Sequence, residues 1–288
     1  MTELNKNQPL HCLPPAQIVT AVSDSGVAKA SAPFCRLLVL GILAGAYVAI
    51  AAAASNMAAY NLLAEPSTYG LGRCLAGVIF PGALILIVIA GGELFTGNTM
   101  MLLPLAQRRI GLFGLLRNWS IVYVANFAGA LCVAWLIVVT GQLNVADNLL
   151  GGVTIKIATA KCRLPFANAF LLGIFCNWLV CLAVWMAMGA KDATGKIFAI
   201  FFPIWLFITA GFEHSIANMY YIPAGLFAKS TPLYLEAVSK SVSSESLASL
   251  TWTNFFVSNL LPVTLGNIVG GGVLVALAYG LAYSVKSR

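Results

Sequence analysis

Two stretches of eight residues, GGELFTGN at 91–98 and GFEHSIAN at 211–218, share the pattern G-x-E-x-x-x-x-N and are 120 positions apart. Each stretch interrupts an apolar segment with glycine and a single carboxylate. Glycine adopts turn conformations that other residues avoid, and we expect Gly91, Gly97 and Gly211 to do so here. The pair of stretches therefore predicts two helices that are broken at corresponding places of a duplicated fold.

The composition places these breaks in a membrane. Of 288 residues, 60% are hydrophobic and only 9% are charged, whereas about 25% are charged in a soluble domain. An odd number of scattered cysteines, seven, excludes a small disulfide scaffold, and the scattered basic residues exclude a nucleic-acid partner. About 20 apolar residues span a bilayer as a helix. Six spans are predicted near 37–57, 74–104, 117–140, 164–188, 197–226 and 255–284.

A second pattern in the third and sixth spans extends the duplication. Asn118, Asn126 and Gly129 recur 141 positions later as Asn259, Asn267 and Gly270. Each repeat then holds three spans, and an odd number inverts the second repeat relative to the first. Inverted repeats with one broken helix each are typical of transporters and channels whose pathway lies where the breaks meet.

The predicted organisation has three parts. Residues 1–35 form an N-terminal segment with a short amphipathic helix at 16–32, residues 36–285 form the six-helix pore domain, and residues 286–288 form a tail. The repeats cover about 36–140 and 164–285. With the N-terminus inside, ten basic residues fall in inner segments and six in outer ones, so we expect both termini in the cytoplasm and a multi-pass location in a bacterial inner membrane.

Glu93 and Glu213 are the only acids inside the predicted spans. A buried charge there costs about 2.5–3.5 kcal/mol on insertion scales, so the presence of each carboxylate calls for a structural or functional explanation. One interpretation is a proton relay. The other, which we favour because both halves have the acid and only one has a histidine, is that each carboxylate accepts hydrogen bonds from the loop N–H groups beside it and stabilises its break. Asn98 and Asn218, which close the two motifs, are assigned to the same stabilising group.

His214 is the only histidine in a span, and its counterpart in the other repeat is Leu94. Imidazole can donate a hydrogen bond or a proton to a passing anion, and the N–H groups at the start of a half-helix also attract anions. Thr96 offers a hydroxyl in the other break, and Asn177 is a candidate partner of His214. Two interpretations are open for Phe80, Leu84 and Phe207: apolar gates, or ordinary packing, which the sequence alone favours.

The motifs GELFTGN (92–98), GIFCNWLVCLAVWM (173–186), GFEHSIANMYYIPAG (211–225) and NLLPVTLGNIVGGG (259–272), with Lys161 before the fourth span, resemble the formate/nitrite transporter family. The resemblance implies an aquaporin-like fold, a homopentamer and one pore in each protomer. It implies that His214 is the central pore histidine and Asn177 its neighbour, and that Thr96, Leu94 and Phe95 belong to the loop that breaks the second span. It makes Phe80, Leu84 and Phe207 constriction residues and Lys161 an anion-attracting residue of the outer vestibule.

The resemblance implies that the protein passes a small monocarboxylate or inorganic anion across the membrane. Formate is the first candidate, and a proton is expected to accompany it. Nitrite and hydrosulfide are alternatives within the same family. A water or glycerol channel would carry twin Asn-Pro-Ala motifs, and an intramembrane enzyme a zinc motif or paired aspartates; the sequence has none of these. No catalytic residue, metal or cofactor is predicted.

Overall fold

The protein is described by a computed structural model over residues 12–239 and 241–284, and every regular element in those ranges is a helix. We number twelve helices: α1 Pro15–Ala30, α2 Phe34–Ala64, α3 Tyr69–Gly91, α4 95–106, α5 Leu112–Val139, α6 Leu149–Cys162, α7 Phe166–Gly189, α8 Ala193–Ala210, α9 Ser215–Ala228, α10 Pro232–Val238, α11 Ser244–Ala248 and α12 Trp252–Tyr283. The predicted tail 286–288 lies outside the described residues, as do four bases that enter the orientation count: Lys6, Lys240, Lys286 and Arg288.

Six of these helices, α2, α3, α5, α7, α8 and α12, are long and apolar enough to cross a membrane. The prediction of six spans is confirmed. The second and fifth spans are broken as expected, because α3 ends at Gly91 and resumes as α4, and α8 ends at Ala210 and resumes as α9.

The two repeats pack alike. Helix α2 crosses α5 in the first half, and α7 crosses α12 in the second. Glycine makes both crossings close: a Cβ on Gly129 would collide with the carbonyl oxygen of Ile42, and one on Gly270 with that of Ile174. Small residues allow this backbone approach between membrane helices.

The repeat is longer than the sequence analysis predicts, since each half begins with a further helix. Helices α1 and α6 end in the same pattern, A-K-x-x-x-P-F, at 28–34 and 160–166. The first half therefore starts with α1 rather than near residue 36, and the second with α6 rather than near residue 164. Helix α6 was not predicted at all.

Helix α1 packs against the bundle through its apolar face. Ile18 and Val22 on its apolar face are buried against Leu103 of α4 and Trp185 of α7. Helix α6 packs on α9 and on the last turns of α2. We call the two ends of the bundle the α1 end and the α6 end.

Candidate functional site

Each break is a short extended segment between two half-helices. Gly91 (φ 103°) and Gly211 (φ 79°) have the left-handed backbone that favours glycine, as predicted. Leu94 and His214 are extended and directly precede the new half-helices α4 and α9. Gly97 is different from the expectation: it lies inside the first turn of α4 with ordinary helical geometry, because the break is already complete at Leu94.

One asparagine closes the break of the first half. Asn126 Nδ2 donates to the carbonyl oxygens of Gly41 (2.7 Å) and Glu93 (2.8 Å), and its Oδ1 accepts from the Phe95 N–H (2.9 Å). Lipid offers no partner for such backbone groups, so they must be satisfied within the protein.

The second half repeats this closure with Asn267, which bonds Gly173 O (2.8 Å), Glu213 O (3.0 Å) and Ser215 N (2.9 Å). The first N–H group of each half-helix is therefore capped by a side chain. Those two donors are taken, contrary to the expectation that the half-helix starts leave them free for an anion.

The two carboxylates lie in matching networks. Glu93 accepts from Lys29 Nζ (2.7 Å) and Asn98 Nδ2 (2.8 Å). Glu213 accepts from Lys161 Nζ and Asn218 Nδ2, both at 2.7 Å. These donors are side chains rather than the neighbouring loop N–H groups that the sequence suggested.

The halves differ in how the lysine is used. Lys29 also donates to Asn98 Oδ1 (2.7 Å), whereas Lys161 lies over the ring of Tyr221, 5.3 Å from its centre. The corresponding oxygen, Oδ1 of Asn218, is buried without a partner in the described residues.

The hydrogen bonds of His214 define its protonation. Nδ1 accepts from the backbone N–H of Ala217 (3.0 Å), and Nε2 lies 3.0 Å from Thr96 Oγ1. A nitrogen that accepts carries no proton, so the imidazole is neutral with its proton on Nε2. His214 therefore presents an N–H donor to the hydroxyl of the other break, and both side chains are buried.

Asn177 is not the partner of His214, which corrects that expectation. Its Nδ2 donates to Thr96 O (3.0 Å), Thr99 Oγ1 (3.1 Å) and Asn267 O (2.7 Å). Because these acceptors belong to both repeats, Asn177 joins the first break to α12.

Three cavities lie in a row through the bundle. The one at the α1 end measures about 330 Å³, a central one about 10 Å³ and one at the α6 end about 30 Å³. Leu84 and Leu94 line both the first and the central cavity, while Phe207 and His214 line both the central cavity and the third. These shared residues define a single route, interrupted by two narrow points.

The narrow points are apolar except for His214. Phe80 and Phe207 meet edge to face with ring centres 5.7 Å apart, and His214 stacks on Phe207 at 5.9 Å. Phe80, Leu84 and Phe207, named from the sequence, are thus brought together around the central cavity. Phe95 does not belong to this group. It packs on Trp119 and Tyr123 of α5 and lines none of the three cavities.

Sequence reasoning missed several contributors. The central cavity is completed by five further residues that nothing distinguishes from other aliphatic residues of the spans: Val48, Ala83, Ile87, Val180 and Ile204. Lys29 was also missed as a partner of Glu93, although the shared A-K-x-x-x-P-F pattern aligns it with Lys161.

Six membrane helices in two inverted repeats, with a histidine on a narrow route where two broken helices meet, define a membrane channel or transporter for a small solute. The sequence matches the profile of the family described as "Formate/nitrite transporter" over residues 16–281. The chain belongs to the formate/nitrite transporter family.

Relatives match over nearly the whole chain. A "Probable formate transporter" of Methanothermobacter thermautotrophicus is 40% identical, covering 93% of this chain and 96% of that protein. "Formate channel FocA" of Escherichia coli K12 is 35% identical, covering 97% and 98%. A solved structure described as "Pentameric formate channel with formate bound" superposes with a TM-score of 0.76 at 36% identity, covering 87% of this chain and 98% of that one.

Proposed function

We propose that the chain is a channel for small monovalent anions, formate first among them, and that it is not an enzyme. The observation that carries the proposal is the neutral His214, whose Nε2–H points to Thr96 and whose ring lines the central cavity beside Phe207. The relatives and the solved structure named for formate support the choice of anion.

The narrow points set the energetic problem. A bare anion loses its hydration between Leu84 and Leu94, and again beside Phe207, where His214 is the polar side chain that lines both the central cavity and the third. His214 supplies the compensation, because it lines the central cavity and its Nε2–H can donate to an anion there in place of Thr96. This donor lowers the cost of the charged state at the second narrow point, which His214 lines together with Phe207.

A proton can accompany the anion, but neutral His214 is a poor source of it. Giving up the Nε2 proton while Nδ1 is held by Ala217 would leave an imidazolate. In this proposal the proton comes from water in the cavities, and His214 stabilises the anion until it is protonated. The neutral acid then passes the second narrow point.

Lys161 attracts the anion towards the α6 end in this proposal. Its ammonium pairs with Glu213 at 2.7 Å, so its field is partly compensated. Long-range attraction then comes from the excess of basic residues, a formal net charge of +7.

We also propose the assembly and orientation. A homopentamer is supported by the superposed structure, which is a pentameric channel. Cytoplasmic termini are supported by the ten-to-six distribution of bases, and a bacterial inner membrane by relatives from Bacillus subtilis and Escherichia coli. An impermeant thiol reagent on intact cells should then label Ser243→Cys, at the α6 end, and spare Ser31→Cys, at the α1 end.

Flux into proteoliposomes tests the function. Wild type should move formate, and His214→Phe should move it about tenfold more slowly at neutral pH, because an anion loses a hydrogen bond worth about 1.5 kcal/mol. The loss should shrink at acidic pH, where more of the substrate is the neutral acid. Leu206→Phe, which adds the same side chain on an exposed face of α8, should behave as wild type.

The same flux assay distinguishes the candidate substrates. If nitrite or hydrosulfide flux is well above formate flux, that anion takes the place of formate as the proposed substrate. Equal formate flux in wild type and His214→Phe at every pH would remove the histidine from the mechanism, and water or glycerol flux without any anion flux would overturn the proposed function.

A further inference from the structure

The cavity at the α6 end contains polar groups that the mechanism above does not use. It lies beyond Phe207 and measures about 30 Å³, room for about two water molecules or the three heavy atoms of formate. Its lining includes Asn56 of α2, Arg73 of α3 and Tyr221 of α9.

Asn56 is the unusual member of this lining. Its side chain is only 4% exposed, and Nδ2 has no hydrogen-bond partner within the described residues. A buried amide without a partner costs about 1–3 kcal/mol, so the position is explained best if a ligand supplies the missing acceptor. Rotation of the amide can turn its NH₂ group towards the cavity.

Arg73 supplies a charge that the protein does not neutralise. Its guanidinium donates to the carbonyl oxygen of Ile208, and no carboxylate of the described residues forms an ion pair with it. The guanidinium is a planar fork of N–H donors, and its remaining donors can bind two oxygens of one planar anion. Lys161 is a weaker candidate for this role because Glu213 already holds it.

Tyr221 adds a third donor. Its side chain lines the cavity, and its ring lies under the ammonium of Lys161. Two side-chain oxygens of the lining, Oδ1 of Asn218 and Oδ1 of Asn56, accept no hydrogen bond from the described residues. The counterpart of the Asn218 oxygen in the first half accepts from Lys29, so Lys161 is its natural partner and the donors remain in excess.

We propose that Asn56, Arg73 and Tyr221 form a binding subsite for a small planar oxyanion with two oxygens, of the formate or nitrite type, next to the narrow point at Phe207. Such a subsite selects the anion by shape: the fork of Arg73 binds both oxygens of a carboxylate, but only one atom of hydrosulfide or chloride. The subsite deepens the proposed anion-channel function and rests on it.

Two variants test the subsite. Arg73→Lys keeps the charge and removes the fork, and Asn56→Leu removes the amide at similar size. Each should raise the formate concentration for half-maximal flux about tenfold and leave hydrosulfide flux as in wild type. Arg163→Lys is the matched control, because Arg163 is an exposed arginine that follows α6, bonds Ser246 and lines none of the three cavities.

Thermal unfolding in detergent gives a reading that does not depend on flux. Sodium formate should raise the Tm of wild type and Arg163→Lys above the value in sodium chloride, and this difference should be lost in Arg73→Lys and Asn56→Leu. If Asn56→Leu fails to fold, Arg73→Lys alone decides.

The outcomes separate the two proposals. Unchanged half-saturation and unchanged Tm difference in Arg73→Lys overturn the subsite and leave the channel function standing. An equal loss of formate and hydrosulfide flux also overturns it, since shape selection is then absent. If wild type moves no formate and yet formate raises its Tm only when Arg73 and Asn56 are present, the channel function fails and the subsite stands.

Discussion

Asn126 and Asn267 each stabilise one of the two helix breaks. Each is fully buried and uses a single amide to bind two carbonyl oxygens and one N–H group of a helix break. Without the amide, three backbone groups would be left unpaired in a place that water does not reach, and a buried unpaired group costs about 1–3 kcal/mol.

Asn267→Ala should therefore lower the free energy of unfolding by about 3 kcal/mol or more, and Asn126→Ala should do the same. Thermal unfolding in detergent measures both. Asn61→Ala is the control, since the exposed Asn61 bonds only the adjacent N–H of Leu62. A Tm for Asn267→Ala equal to that of Asn61→Ala would contradict the proposed closure of the break.

At the residue scale, the sequence located the breaks but not all of their partners. Glu93 and Glu213 stand out because charge is scarce, and the eight-residue motif marks Asn98 and Asn218 beside them. The lysines were not assigned as partners because an ion pair across 52 or 64 positions depends on how α6 and α1 fold back. The direction of the Asn177 amide likewise depends on packing, which a spacing pattern does not contain.

At the element scale, the crossings of α2 with α5 and of α7 with α12 depend on glycine. Gly129→Ala and Gly270→Ala should each destabilise the protein by about 1–3 kcal/mol, because the added methyl group forces two helix backbones apart. Gly82→Ala should be neutral or stabilising, since its Cβ would meet no atom within 4 Å and alanine favours a helix.

Unfolding temperatures of the three glycine variants check this expectation. Gly82→Ala falling as far as Gly129→Ala would mean that glycine matters for backbone freedom rather than for close approach. Equal losses at Gly129 and Gly270 would be consistent with the symmetry of the two crossings.

Long apolar elements were predictable and short ones were not. The first span, predicted near 37–57, extends over Phe34–Ala64, because hydropathy detects the apolar centre and not the polar ends. Helix α6 has 14 residues, including Lys156 and Lys161, so it is too short and too polar to be recognised as a span. Its only signal was the seven-residue pattern that it shares with α1, at an offset different from those of the two other motifs.

At the scale of the whole molecule, the route runs inside one chain. All three cavities are lined by residues of a single protomer, from the α1 end to the α6 end. In the proposed pentamer this arrangement gives each protomer an independent pore, so a blocked copy should not affect its neighbours.

Mixed oligomers test this independence. Ala83→Phe should fill the central cavity, which Ala83 lines and which measures only about 10 Å³, and should stop formate flux in a homogeneous assembly. When wild type and Ala83→Phe are co-expressed, flux should fall in proportion to the blocked fraction. A passage that needed five intact copies would instead retain about one thirtieth of the flux at equal expression. Flux near that value, with both chains present in the purified assembly, would place the pathway between protomers rather than within them.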